Sequence, residues 1–167
     1  MPKPRRQTNR LTMESKQPLK RHKALQPLSR EHHYGLLLGW KIRTGFAKGI
    51  TVERMKAYAD WFFLQHLTAH FDMEEKHVFP LLGLDHPMIE RALNEHVLLR
   101  QLFAANDDLG YHLSQIEDVL EAHIRFEERE LFPEIQRMAR EEQMAEVERL
   151  HGGDVPVDDW GDKFWEK

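Results

Sequence analysis

Apolar residues along this chain recur at intervals of three and four, and no stretch of any length alternates as a strand does. Ser29 is a good N-cap, with Glu31 in the turn that follows, and opens a first helix expected over about 30–47. Its spacing is kept by His32, Leu36, Gly39, Trp40 and Arg43, and equally by His33, Leu37 and Trp40, so either histidine is able to face inward. Thr51 caps a second helix with apolar positions at Val52, Met55, Ala59, Phe62 and Phe63. His66, His70, Met73 and Glu74 continue that face, so the stripe turns polar halfway along, and Pro80 closes the helix near Phe79. Pro87 starts a third helix whose stripe is Ile89, Leu93, His96, Leu99 and Phe103. A fourth, over about 111–131, aligns Leu113, Ile116, Leu120, His123, Phe126 and Glu127. Pro133 opens a fifth, over about 134–150, amphipathic through Ile135, Met138, Met144 and Val147. The pattern predicts an all-α fold: an antiparallel up-down four-helix bundle with an extra C-terminal helix.

The two ends read differently. Residues 1–28 carry prolines at 2, 4, 18 and 27 and scattered basic residues, and are expected to form a flexible arm. The bundle and C-terminal helix take 29–151, and 152–167 is an acidic tail whose Trp160 and Trp165 are expected to dock on the bundle. The formal net charge of −4 gives no pull toward nucleic acid, and an acidic protein is the partner that the arm's own charge suits. There is no cysteine, which excludes disulfides, thiolate metal sites and cysteine nucleophiles. No apolar run reaches the roughly 20 residues of a membrane span, and no apolar segment follows the charged N-terminus as in a secretory signal. A cytoplasmic protein is expected.

The chemistry lies in a repeat. Residues 70–80 read His-Phe-Asp-Met-Glu-Glu-Lys-His-Val-Phe-Pro and residues 123–133 read His-Ile-Arg-Phe-Glu-Glu-Arg-Glu-Leu-Phe-Pro. Each copy sets a His and a Glu four apart, one turn along a single helix face. Glu31-His32 and Glu95-His96 lie upstream of the two copies. In a bundle the inward stripes bring together His32, His70, Glu74, His96, His123 and Glu127. Six such groups buried without partners would cost several kcal/mol each. A pair of metal ions removes that cost, with two bridging carboxylates and four imidazoles as ligands. The neighbouring Glu31, Glu75, Glu95 and Glu128, and His22, His77, His86, His112 and His151, are expected on the surface. Phe62, Phe63, Phe79, Phe103, Phe126 and Phe132 are expected in the core, some of them walling the metal pocket.

The order His, His-x-x-x-Glu, His, His-x-x-x-Glu on four helices resembles the hemerythrin-like, or HHE cation-binding, domain. The resemblance covers about residues 28–135. It implies a non-haem di-iron centre bridged by two carboxylates, for which manganese or zinc can substitute, and a small ligand such as O2, NO or peroxide. Family members carry, store or sense oxygen, or handle iron and reactive oxygen or nitrogen species. Position by position it implies His32 as the first-helix ligand, with His33 the competitor; His70 and Glu74 on the second helix; His96 on the third; and His123 and Glu127 on the fourth. The chain departs from the oxygen carriers at Arg100, where they place a second histidine four residues after the first on the third helix. That leaves one iron short of a ligand, which His66, one turn before His70, is placed to supply unless it is a core histidine or one that supports a ligand from behind. A more open iron suits sensing, oxidation chemistry or turnover of peroxide or NO, so an enzyme that reduces them, an iron donor to damaged centres, and a regulator acting through the tails stand beside the carrier reading.

Overall fold

The computed structural model describes residues 20–151 and 156–167, and these are helical with no strand among them. Helix α1 is Gln26–Ala47 and α3 is Pro87–Ala104. Between them α2 spans 52–78 and closes on the 3-10 turn Phe79–Leu81. Helix α4 spans 109–138, and α5 is Glu141–Leu150. Gly49, at φ 69°, reverses the chain after α1 in a conformation that costs glycine little. His86 caps α3, its Nδ1 accepting from Met88 N at 3.1 Å.

Two apolar clusters fill the bundle. One joins Leu38 and Ile42 of α1, Met55 and Phe62 of α2, Leu99 and Phe103 of α3, and Leu113 and Leu120 of α4. The other joins Leu28 of α1, Val78 of α2, Ile89 and Ala92 of α3, and Phe126 and Leu131 of α4, with Met144 and Val147 of α5 closing over it. Helix α1 passes from the second cluster to the first, α2 from the first to the second, α3 back again and α4 in the opposite sense. The four helices thus run alternately up and down, as the sequence pattern predicts. The polar positions of each stripe fall between the clusters, so the inward histidines and glutamates share one layer.

Three boundaries differ from the sequence reading. Residues 1–19 of the expected arm lie outside the described residues, but 20–28 belong to the body. Ala24, Leu25 and Leu28 are fully buried, and each leucine contributes about 2 kcal/mol by leaving water. Pro27 occupies the first turn of α1, where its missing N–H is no loss, rather than marking an irregular arm. Ser29 is therefore inside the helix, not its cap. Secondly, Pro133 does not start a new helix. Helix α4 runs through it to Met138, and the break comes at Ala139 and Arg140, both extended. Arg140 N donates to Gln143 Oε1 at 2.9 Å, a capping interaction that starts α5 and folds its apolar face back on the core.

Thirdly, α2 and α4 contain wide, five-residue π-turns at Glu74–Val78 and Glu127–Leu131. In each, the Phe N–H before the proline reaches back to the glutamate carbonyl, Phe79 to Glu74 and Phe132 to Glu127. The Phe-Pro of both repeats explains this: proline removes an amide donor and crowds the preceding turn, so the hydrogen-bond register slips by one.

The tail docks as its tryptophans suggest. Phe164 is buried in the first cluster, with Trp160 and Trp165 packed against it. Asp158 Oδ2 accepts from Lys41 Nζ at 2.6 Å and Tyr58 OH at 2.7 Å, and Arg54 holds Asp162 through two hydrogen bonds. No helix among the described residues is long and apolar enough to cross a membrane.

Candidate metal centre

The layer between the clusters holds six buried groups, one histidine from each of the four bundle helices and one glutamate each from α2 and α4. They are His32, His70, Glu74, His96, His123 and Glu127. His33 is exposed, so of the two adjacent histidines it is His32 that turns inward.

The six divide into two sets of four that share both glutamates. His32, His70, Glu74 and Glu127 form one, and Glu74, His96, His123 and Glu127 the other, with one ligand atom from each residue within 4.8 Å of the rest. Each carboxylate gives one oxygen to each set. Glu74 Oε1 lies 2.9 Å from His70 Nε2, while its Oε2 lies 3.2 Å from His96 Nε2. Glu127 Oε2 lies 2.9 Å from His32 Nε2, while its Oε1 lies 3.2 Å from His123 Nε2. These approaches are close but not aligned as hydrogen bonds. His32 Nε2, His70 Nε2 and all four oxygens of Glu74 and Glu127 are buried without a hydrogen-bond partner. Two carboxylates facing four imidazole nitrogens in this way could hold a pair of cations.

The outer ring nitrogens close the argument, because every one meets a carboxylate. His32 Nδ1 donates to Glu128 Oε1 at 2.7 Å and His70 Nδ1 to Glu31 Oε2 at 3.2 Å. His96 Nδ1 donates to Glu75 Oε1 at 2.8 Å and His123 Nδ1 to Glu95 Oε2 at 2.6 Å. A carboxylate only accepts, so each Nδ1 carries a proton and each Nε2 faces inward, where its lone pair can serve a cation in place of a proton. His96 Nε2 and His123 Nε2 stand 3.1 Å apart, close enough to share a proton or to face one cation. The residues fit a pair of divalent metals, and hard-to-borderline ones, since the donors are nitrogen and oxygen.

The outer carboxylates make a circuit. Each histidine is held from the helix before it: α1 from α4, α2 from α1, α3 from α2 and α4 from α3. The circuit corrects the expectation that Glu31, Glu75, Glu95 and Glu128 face solvent. All four are partly buried and engaged. The signal was on the page as the doublets Glu31-His32, Glu74-Glu75, Glu95-His96 and Glu127-Glu128. A glutamate one residue from a ligand points about 100° away, toward the neighbouring helix rather than into water. A further group steadies each: His151 on Glu31 (2.8 Å), Arg100 on Glu75 (2.7 Å), Arg91 on Glu95 (2.9 Å), and Arg21 (3.0 Å) with Ser29 (2.7 Å) on Glu128. His151 is thus not a free surface residue, and Arg100, four residues after His96, braces Glu75 from outside.

Left to protons, the cluster is strongly polarised. Burial pushes His123 and His70 down, but the Glu127 and Glu74 charges outweigh it and lift them to about 10 and about 9. Burial likewise raises Glu74 and Glu127, and the surrounding imidazoles pull both below the usual carboxylate range. Burial also raises Glu31, yet the bonds from His151 and His70 bring it to about 2. For Glu75 the bond from His96 comes first and brings it to about 2.

His66 is in neither set of four. Its ring stacks on Phe62 at 4.7 Å and lies 5.9 Å from Tyr34, and burial pushes its pKa below the ordinary histidine value. Aromatic rings do wall the pocket: Phe71 stacks on His96 at 3.9 Å and Phe132 on His32 at 5.4 Å.

Compared with known families, residues 22–135 match the hemerythrin HHE cation binding domain. No curated protein and no solved structure matches the chain.

Proposed function

The chain belongs to the hemerythrin HHE cation-binding family, and on that premise we propose that it is a non-haem di-iron protein that binds O2 or a related small molecule. The single observation that carries the reading is the set of inward, unpartnered atoms on His32, His70, Glu74 and Glu127, opposite His96 and His123. In this reading His32 and His70 would hold one ion and His96 and His123 the other, with Glu74 and Glu127 serving both. Two iron ions there supply open coordination positions for a diatomic or peroxide, and electrons for its binding or reduction. The protein's own residues do the rest. Glu128, Glu31, Glu75 and Glu95 fix the four imidazoles in one tautomer and orientation. Phe71 and Phe132 exclude water from the ring faces. Manganese and zinc suit the same donors.

A second reading, reduction of peroxide or NO or supply of iron to damaged centres, is favoured by one feature. Arg100 is bound to Glu75 and offers no donor to the centre, so each set has two histidines and two shared carboxylates only. Metal content of anaerobically purified protein, followed by its visible spectrum on admitting air, tests both. Two irons per chain and a new charge-transfer band support the di-iron reading. A persistent band favours binding, and a bleaching band favours turnover. An iron-loaded sample without spectral response overturns both.

A further inference from the structure

A small cavity lies against the centre. Its polar floor is made by His32, His70 and His123, and its apolar wall includes Leu120 and Ile124; His96 takes no part. His66 is part of its lining. Gly35 also lines it, and a Cβ there would stand 2.8 Å from Ile124 Cδ1, so the missing side chain keeps the space open. The room for the centre of a water-sized sphere is about 10 Å³, on the order of one water molecule. That is room for about one water-sized group, the outer end of a small ligand held at the centre, and not for an organic substrate.

His66 is 8% exposed, and its Nε2 is wholly enclosed with no hydrogen-bond partner among the described residues. The ring is fixed: stacked on Phe62, 5.9 Å from Tyr34, and edge-on to Trp61 at 5.6 Å. A phenylalanine would pack there without an orphaned nitrogen, so packing does not account for a histidine. It stands one turn before His70 on α2, at the π-turn Phe63–Leu67, which turns this part of the helix relative to the ligand-bearing stretch.

We infer that His66 forms a protein-side subsite for the small ligand, its ring nitrogen hydrogen-bonding a diatomic, peroxide or triatomic anion in this cavity. This rests on the di-metal reading of the centre. In this role His66 does not hold a metal; it sets which small molecules stay and for how long. A ligand whose outer atom is a strong acceptor or donor gains from it, and one whose outer atom accepts only weakly, carbon monoxide being the simplest, gains least.

The test compares wild type, His66→Leu and His66→Gln, each iron-loaded and full length, with azide as probe. Metal content, azide affinity and the azide stretching frequency in H2O and D2O are measured. Two irons in all three proteins are expected. Azide binding about tenfold weaker in His66→Leu, largely restored in His66→Gln, is the loss of one hydrogen bond. The H2O/D2O shift of the azide stretch, present in wild type, disappears in His66→Leu. Equal affinity and an equal isotope shift in His66→Leu overturn the subsite. Loss of an iron in His66→Leu and His66→Gln also overturns it, by making His66 a ligand. Wild type that holds two irons but no azide overturns the subsite and leaves the di-iron reading standing; wild type that holds no iron overturns both.

Discussion

The two halves of the centre carry the same donors in different surroundings. His96 and His123 stand in the more closed half, where the His123 ring reaches the cavity but His96 does not. His96 is fully buried between Phe71 and Phe79, and Arg100 and Arg91 of α3 itself steady the outer carboxylates of this half. His32 and His70 stand in the open half, beside the cavity and His66. Their outer carboxylates are steadied from the ends of the chain, Glu128 by Arg21 and Glu31 by His151 after α5. Duplicated ligand motifs therefore do not make duplicated sites. The closed half is braced by its own helix and suits a purely structural grip on a metal. The open half depends on segments outside the repeat and faces the space where a small molecule fits.

The comparison breaks most completely at the shared carboxylates. Glu74→Ala removes an oxygen from both sets at once, and metal content falls from two per chain to none. Retention of two ions by elemental analysis refutes the bridging role. A smaller effect distinguishes the halves. His32→Ala empties the open half and leaves one ion with His96 and His123, whereas His33→Ala, an exposed position, leaves both. The reverse result moves the α1 ligand to His33.

Much of this was legible in sequence because the repeat states it. His70 and Glu74, and His123 and Glu127, are one turn apart, and their stripe is continuous with apolar residues that must face inward. Direction and depth follow from four stripes of matching length. The outer carboxylates were not legible in the same way. One helix read alone assigns Glu31 and Glu75 to the flank, and only a neighbouring helix about 100° round converts a flank into a partner. The start of α1 was hidden for a different reason. Pro27 reads as irregular chain, yet in a first turn it stabilises helix, and the burial of Leu25 and Leu28 is decided by where α5 folds back. Local sequence shows what a residue faces along its own axis, and tertiary packing decides the rest.

The outer circuit sharpens the comparison at intermediate size. Glu31→Ala and Glu95→Ala each free one imidazole and weaken metal affinity about 10- to 100-fold, measured by competition with a chelator. One step further out the halves separate. His151→Ala weakens the open-half ion by only about threefold. Arg91→Ala acts on the closed half alone. Equal loss of both ions in either variant denies that the halves are braced independently.

The smallest effect belongs to the tail over the aromatic rings beside His66. Trp160 lies 5.7 Å from Trp61, which lies 5.6 Å from His66, so the docked tail lies over the rings beside the open half. Burial raises Asp158, but Lys41 and Tyr58 outweigh it and hold its pKa below the ordinary 3.8. A carboxylate depressed in the folded state contributes stability that is fully present above its unfolded pKa and is lost as pH falls through the folded value. Docking by Asp158 is thus constant from neutrality down to about pH 4 and fades below it. Asp158→Asn removes it at every pH, leaves Lys41 without its carboxylate, and costs about 1 to 2 kcal/mol, a Tm lower by about 2 to 8 °C. Tryptophan fluorescence reads the release as a red shift, present in Asp158→Asn at pH 7 and appearing in wild type only in acid. Metal content at pH 7 stays at two. A variant that loses an ion shows that the docked tail and the open half are one unit, and narrows the difference between the halves to the circuit alone.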